Sequence, residues 1–282
     1  MHSYENGLFG ITYSPYNNDG SCPDPGKVSS DLKTISGLAK SIRLYATDCS
    51  QLESSIKAVE SGIDISIYAG IWISNGDDRF QKELEEFVGA VKPLSNRDFI
   101  KGVSVGNEEL HKNTMDEGKL IGYINSVRER LKSEGIDIPV YTTDTDAKFT
   151  ANLANSCDEV QVNIYAVFDQ TFSSVNDSVN SVFSRLDSVK SKIAIDSQKP
   201  IRIGETGWAD KGSESSAPTT QEIEQQYFDT FVCQANENNI EYFYFEAKDA
   251  TWKAGASPLE KSFGVFKDDF SQKLNLDKVL QC

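Results

Sequence analysis

Two stretches of this sequence end an apolar, strand-like run on a carboxylate. Ile100-Lys-Gly-Val-Ser-Val-Gly-Asn-Glu108 closes on Asn107 and Glu108, and Pro200-Ile-Arg-Ile-Gly-Glu-Thr-Gly-Trp208 closes on Glu205. Apolar residues in period-two alternation read as strands. One acid at a strand end is usually a solvated or structural group. Two of the same design are what cleavage of a glycosidic bond with retention needs, one as acid and base and the other as nucleophile. The short amide before Glu108 suits a sugar 2-hydroxyl or the nucleophile. Histidine is scarce, with only His2 and His111, so acid–base work falls to carboxylates, and neither a His-based triad nor a His-rich zinc site is expected. The reading calls for no cofactor and no metal.

The elements that must hold these acids recur as strand-like runs followed by helix-like runs. Phe9–Tyr16 is the first strand, and Ser29 and Ser30 are expected to cap a helix to about Lys40. Ser41–Ala46, Ile63–Ile73 and the run from Ile100 follow, with helices from about Ser50 and around Phe80, Leu84, Phe87, Val88 and Val91. Leu120, Ile124, Val127 and Leu131 mark the next helix. Pro139–Thr143, Glu159–Phe168, the run from Pro200 and Ile240–Ala247 complete eight strands, and Pro258–Ser262 is a last short turn. Eight such units predict an α/β fold, a single (β/α)8 barrel; no G-x-G-x-x-G follows the first strand to favour a doubly wound sheet. Residues 9–282 are expected to be one catalytic domain, with residues 1–8 an N-terminal extension or cloning remnant.

Barrel sites lie at the C-terminal ends of the strands. Those ends offer Tyr13, Tyr16, Tyr45, Trp72, Asn107, Asp144, Asn163, Tyr165, Trp208, Glu246 and Lys248 around the two acids, with Phe168 just beyond. Aromatic faces stack on the C–H faces of sugars, and Asn and Tyr bond hydroxyls. Asp144 with Asp146 is better read as solvated loop acids than as a metal pair. Lys248 as a Schiff-base lysine of a sugar-phosphate lyase or isomerase is a third option, against which stands the lack of a Gly-rich phosphate turn.

The chain has 28 Lys and Arg against 43 Asp and Glu, a net charge of −15. That surface repels nucleic acid and anionic membranes, and no apolar run suffices to insert into a bilayer. A neutral polymer is indifferent to it.

Arg43-Leu-Tyr-Ala-Thr-Asp-Cys49, Gly102-Val-Ser-Val-Gly-Asn-Glu108, Val160-Gln-Val-Asn-Ile-Tyr165 and Gly204-Glu-Thr-Gly-Trp208 together resemble glycoside hydrolase family 17, best its fungal cell-wall β-1,3-glucanases and β-1,3-glucanosyltransferases. The resemblance runs from about Phe9 to the C-terminus. It implies a secreted or wall-associated enzyme acting on β-1,3-glucan or laminari-oligosaccharides, and the chain is expected to be a monomer. Glu108 would be the acid/base and Glu205 the nucleophile, their carboxyls about 5–5.5 Å apart as retention requires. Tyr13, Tyr45, Asn107, Asn163, Tyr165, Phe168, Trp208, Glu246 and Lys248 are the expected sugar contacts. Transfer to a second glucan is expected to exceed hydrolysis; plain endo-hydrolysis and a non-catalytic glucan-binding barrel are the alternatives. Lys248-Asp249-Ala250-Thr251 departs from the fungal pattern, in which an acid follows Phe-Asp. The short link after Phe168 implies an open acceptor side.

Five cysteines include no C-x-x-C pair. Cys22 and Cys49 are expected to pair, since the first two strand-end loops are barrel neighbours. Cys233 is expected to pair with Cys282, leaving Cys157 free. Asn176-Asp-Ser178 is a short match to a glycosylation acceptor.

Overall fold

The computed structural model describes residues 7–169, 171–193, 199–213 and 215–282. Eight parallel strands close into a barrel in sequence order: β1 (Gly10–Thr12), β2 (Ser41–Arg43), β3 (Ser66–Ile71), β4 (Ile100–Asn107), β5 (Val140–Thr145), β6 (Val160–Asn163), β7 (Ile201–Thr206) and β8 (Tyr242–Tyr244), with β8 pairing back to β1. Parallel neighbours need crossovers, and helices supply them. These are α1 (Pro25–Ser36), α2 (Gln51–Glu60), α3 (Asp77–Val91), α4 (Glu117–Ser133), α5 (Ala151–Ser156), α6 (Val175–Ile193) and α7 (Gln221–Glu237). Among the described residues a 3-10 turn at Leu259–Lys261 follows β8 in place of an eighth α-helix.

Each helix lays an apolar stripe on the barrel. α3 buries Phe80, Leu84, Phe87, Val88 and Val91, and α4 buries Leu120, Ile124, Val127 and Leu131, the positions their spacing predicts. The first helix starts earlier than expected: Asp24 caps it by accepting from the Gly26 amide, and Pro25 opens it. Proline at the first helical position loses no internal bond, so it outweighs Ser29 and Ser30. The expected boundary after residue 8 falls inside ordered structure. Leu8 is fully buried and bonds Leu38, and Gly7 bonds Val279. Residues 1–6 lie outside the described residues.

Two disulfides and two buried charged side chains fasten the loops and the C-terminus to the barrel. Cys22 and Cys49 form a disulfide tying the β1 and β2 loops, Cys233 and Cys282 form a second, and Cys157 is a buried free thiol. Glu83 of α3 is fully buried and accepts from the Thr47 amide (2.6 Å) and the Trp72 amide (3.3 Å), which joins the β2 and β3 loops. Lys273 is buried and contacts Asp210 (3.3 Å), Glu224 (3.1 Å) and Asp249 (2.9 Å), fixing the C-terminal segment to the β7 and β8 loops. Asn176 is exposed on the first turn of α6. No helix among the described residues is long and apolar enough to cross a membrane.

Candidate active site

Both strand-end acids sit just past an irregularity in the sheet. β7 pairs with β6 as Val162 with Ile203 and then Asn163 with Glu205, so Gly204 is an extra residue on β7. β4 pairs with β5 as Ser104 with Tyr141 and then Asn107 with Thr143, which inserts one residue on β4. Such bulges bend a strand and re-aim its side chains. A Cβ at position 204 would stand 2.7 Å from Asn163 Oδ1 and 2.8 Å from Gln161 Cγ, so only glycine fits beneath Glu205. Gly106 at φ +78° and Glu108 at φ +60° turn the end of β4. Left-handed backbone is costly for a glutamate, by about 1–2 kcal/mol, and the bond from the Glu108 amide to Thr143 O (2.9 Å) helps hold it.

Arg43 of β2 lies beneath the acids, 1% exposed. It donates to Glu205 Oε1 (3.0 Å), Gly204 O (2.8 Å), Asn163 Oδ1 (3.3 Å) and Asn107 Oδ1 (2.8 Å). The Tyr45 hydroxyl donates to Glu205 Oε1 and the Tyr165 hydroxyl to Oε2, each at 2.8 Å. Asn163 Nδ2 donates to Glu108 Oε1 (2.9 Å), and Lys112 Nζ stands 3.5 Å from Glu108 Oε2. A continuous chain therefore runs from Glu108 through Asn163 and Arg43 to Glu205. Burial pushes the Glu205 carboxyl above its ordinary value, Arg43 opposes that, Glu108 adds to it, and the two tyrosine hydroxyls oppose it. Charge-assisted bonds of this kind favour the anion.

The acids face a cleft of two lobes, about 560 Å³ and about 500 Å³, which share Glu108, Glu205, Phe245 and Glu260. Tyr16, Tyr45, Trp72, Asn107, Glu246 and Trp252 line the first lobe. Asn163, Tyr165, Phe168, His111, Arg185 and Phe263 line the second. Trp252 packs on Tyr16 at 4.5 Å between ring centroids, and the Tyr16 hydroxyl is held by Asp48 (2.7 Å). Burial raises the Glu246 carboxyl to about 7 against the opposing charge of Lys253.

Tyr45, Asn107, Asn163, Tyr165, Phe168 and Glu246 thus stand on the cleft, and three expected contacts do not. Tyr13 is 1% exposed, with its hydroxyl on Asp31 (2.8 Å). Trp208 is fully buried between Tyr227 and Phe172, with its indole N–H on Pro218 O (3.0 Å); a ring packed on both sides has no face for a sugar. Lys248 is 3% exposed and donates to Tyr16 O (2.9 Å), and burial lowers its basicity. It braces the β1 loop. Arg43, Trp252, Phe245, Phe263 and Arg185 stand at the site besides the expected residues. Arg43 had a signal, a guanidinium within an apolar strand, which must find a buried partner. Phe245 borders Glu246 just past β8, and Trp252, Phe263 and Arg185 come from loops and a helix whose approach no local pattern encodes.

Asp144 accepts from the amides of Leu110, His111 and Thr145, and Asp146 binds Arg185. No group among the described residues is suited to hold a metal ion.

Residues 10–264 match the family model of the BtgE/BtgC glycoside hydrolase domain. A btgC protein of Aspergillus niger, named provisionally as a glucan endo-1,3-beta-glucosidase, is 30% identical over 249 residues, 82% of this chain and 36% of that protein. A "Probable family 17 glucosidase" of Saccharomyces cerevisiae, SCW4, is 31% identical over 272 residues, covering 95% and 68%. This chain thus spans about a third of the btgC protein and two thirds of the yeast one. Among solved structures, a family 17 beta-1,3-glucanosyltransferase from Rhizomucor miehei superposes with TM-score 0.82 at 25% identity, over 95% of this chain and 97% of that one.

Proposed function

Because this chain belongs to the BtgE/BtgC glycoside hydrolase family, within glycoside hydrolase family 17, we propose that it cleaves β-1,3-glucan with retention and passes the cleaved chain mainly to a second glucan. The observation that carries this reading is the linked pair. Glu205 is held by one arginine and two tyrosine hydroxyls, and Glu108 is joined to it through Asn163 and Arg43. Protonated Glu108 gives its proton to the glycosidic oxygen as a Glu205 oxygen attacks the anomeric carbon and the bond to that oxygen breaks. Glu108, now a carboxylate, takes the proton from the incoming hydroxyl, which attacks the same carbon and releases Glu205. Tyr45 and Tyr165 leave Glu205 no freedom to rotate, which keeps its oxygen aimed.

We assign donor sugars to the lobe of Tyr45, Asn107 and Glu246, because the Asn107 amide borders Glu108 where a 2-hydroxyl would lie. The acceptor takes the lobe of Tyr165 and Phe168, where Phe168 is 48% exposed and free to stack. The name of the Aspergillus niger relative supports the substrate and that of the Rhizomucor structure supports both the substrate and transfer. Two disulfides support an oxidising, secreted setting, a wall location following from the substrate. Incubation with a laminari-oligosaccharide tests the whole reading. Products longer than the starting sugar, rising with its concentration, are expected. Shorter products alone make the protein an endo-hydrolase, and binding without any product makes it a glucan-binding barrel.

A further inference from the structure

The second lobe of the cleft is built on a side chain that comes from outside the barrel. Arg185 projects from α6 toward the ends of β5 and β6. Its Nε and Nη2 donate to the two carboxylate oxygens of Asp146 at 2.7 and 2.8 Å. Its Nη1 donates to the carbonyl of Tyr165 (2.9 Å) and to Asp169 Oδ1 (3.1 Å). Ser181, one turn earlier on α6, donates to the other oxygen of Asp169 (3.3 Å). Only a planar fork with several donors meets these partners together; an ammonium group cannot.

The segment so held carries the lobe's aromatic wall. Tyr165 gives its carbonyl to Arg185 and its hydroxyl to Glu205, and its ring meets Phe168 at 5.6 Å between centroids. The amide of Asp169 bonds Ala166 O, closing the turn that presents Phe168. Neither Glu108 nor Glu205 is a hydrogen-bond partner of Arg185.

We propose that Arg185 is the positioning residue of the acceptor lobe, setting how much of the glycosyl-enzyme goes to a second sugar rather than to water. This rests on the transfer reading above. Water attacks without needing a wall to orient it, whereas an acceptor hydroxyl competes only when its ring is held in line with the anomeric carbon. A loosened Tyr165–Phe168 segment therefore penalises transfer more than hydrolysis. The bonds made and broken are unchanged.

The test compares Arg185→Lys with wild type, both as the full chain, on two substrates. One is a laminari-oligosaccharide, and the other is an aryl laminari-oligoside whose leaving group departs without a sugar in the acceptor lobe. The ratio of transfer to hydrolysis is expected to fall about tenfold, and release of the aryl group, which needs no sugar in the acceptor lobe, is expected to fall by a clearly smaller factor than transfer does. An unchanged ratio overturns the proposal. An equal loss in both assays also overturns it, since Arg185 would then act through the nucleophile or the fold. Asp169→Asn keeps the fork on Asp146 and should move the ratio the same way by a smaller factor; it decides the matter if Arg185→Lys does not fold. Should wild type make no longer products, the transfer reading fails and KM for the unsubstituted oligosaccharide takes over. Its leaving sugar occupies the same lobe, so a raised KM in Arg185→Lys with an unchanged aryl KM supports the positioning role, and no change overturns it.

Discussion

Two arginines lie inside the barrel, at opposite ends, and they are neutralised differently. Arg202, toward the N-terminal end of β7, pairs with both Glu159 and Glu241 (3.0 Å to the latter) and lies 4.7 Å from the Tyr68 ring centroid. Arg43, at the mouth, has one acid, Glu205, and otherwise neutral partners in Asn107, Asn163 and the Gly204 carbonyl. The lower charge is surrounded by acid and ring and has nothing left to do. The upper one shares its acid with an open cleft. Charge set against excess acid suits a structural plug, whereas charge set among amides beside a carboxylate that opens on the cleft suits the site proposed above, which must change charge during turnover.

The largest break in this comparison is Glu205→Gln. Turnover on laminari-oligosaccharides should fall by about 10⁴-fold or more, while the protein still folds; near-normal turnover would dismantle the assigned pair. Arg43→Gln should follow, with about a 10²–10³-fold loss in kcat as Glu205 loses its fixed counter-charge. Arg202→Leu should reverse the pattern. It strands two acids and costs about 3 kcal/mol in urea unfolding, yet turnover per folded molecule should be preserved, and a kcat loss matching that of Arg43→Gln would erase the distinction between the two ends.

Glu246 sharpens the contrast through pH. Its carboxyl rises from an ordinary 4.5 to about 7, so the folded state holds a proton that the unfolded chain releases. Its contribution is fully present below about pH 4.5 and is lost as pH rises through 7, on the order of 3 kcal/mol. Glu246→Gln should flatten the stability curve over that window relative to wild type; parallel curves would show that burial does not raise this group. The smallest effect belongs to Tyr165→Phe, which removes one of the three donors to Glu205. About a tenfold fall in kcat is expected, measured at saturating oligosaccharide, and none would mean that Arg43 and Tyr45 suffice.

Much of this was legible before any coordinates. Helical stripes such as Phe80, Leu84 and Phe87 show the period of the face they bury, so element type and order follow from spacing. The strand-end glutamates follow from the same logic, since a barrel places strand ends around one mouth. Legibility failed where a residue type has two equally good uses. Trp208 and Trp252 are the same side chain in loops that follow barrel strands, yet one is sealed between Tyr227 and Phe172 and the other packs on Tyr16 at the cleft. Local sequence does not say which neighbours will arrive.

What the sequence by itself determined was the barrel and the placing of two acids at strand ends, because alternation and period are properties of neighbours along the chain; the cysteine pairs, 27 and 49 positions apart, were decided by the fold. What only the tertiary structure decided was the one-residue bulges beside Glu108 and Glu205, and the reach of Arg43 and Arg185 across elements. Those contacts join residues up to 162 positions apart, and their geometry depends on how whole strands shift against one another, which no window of sequence contains.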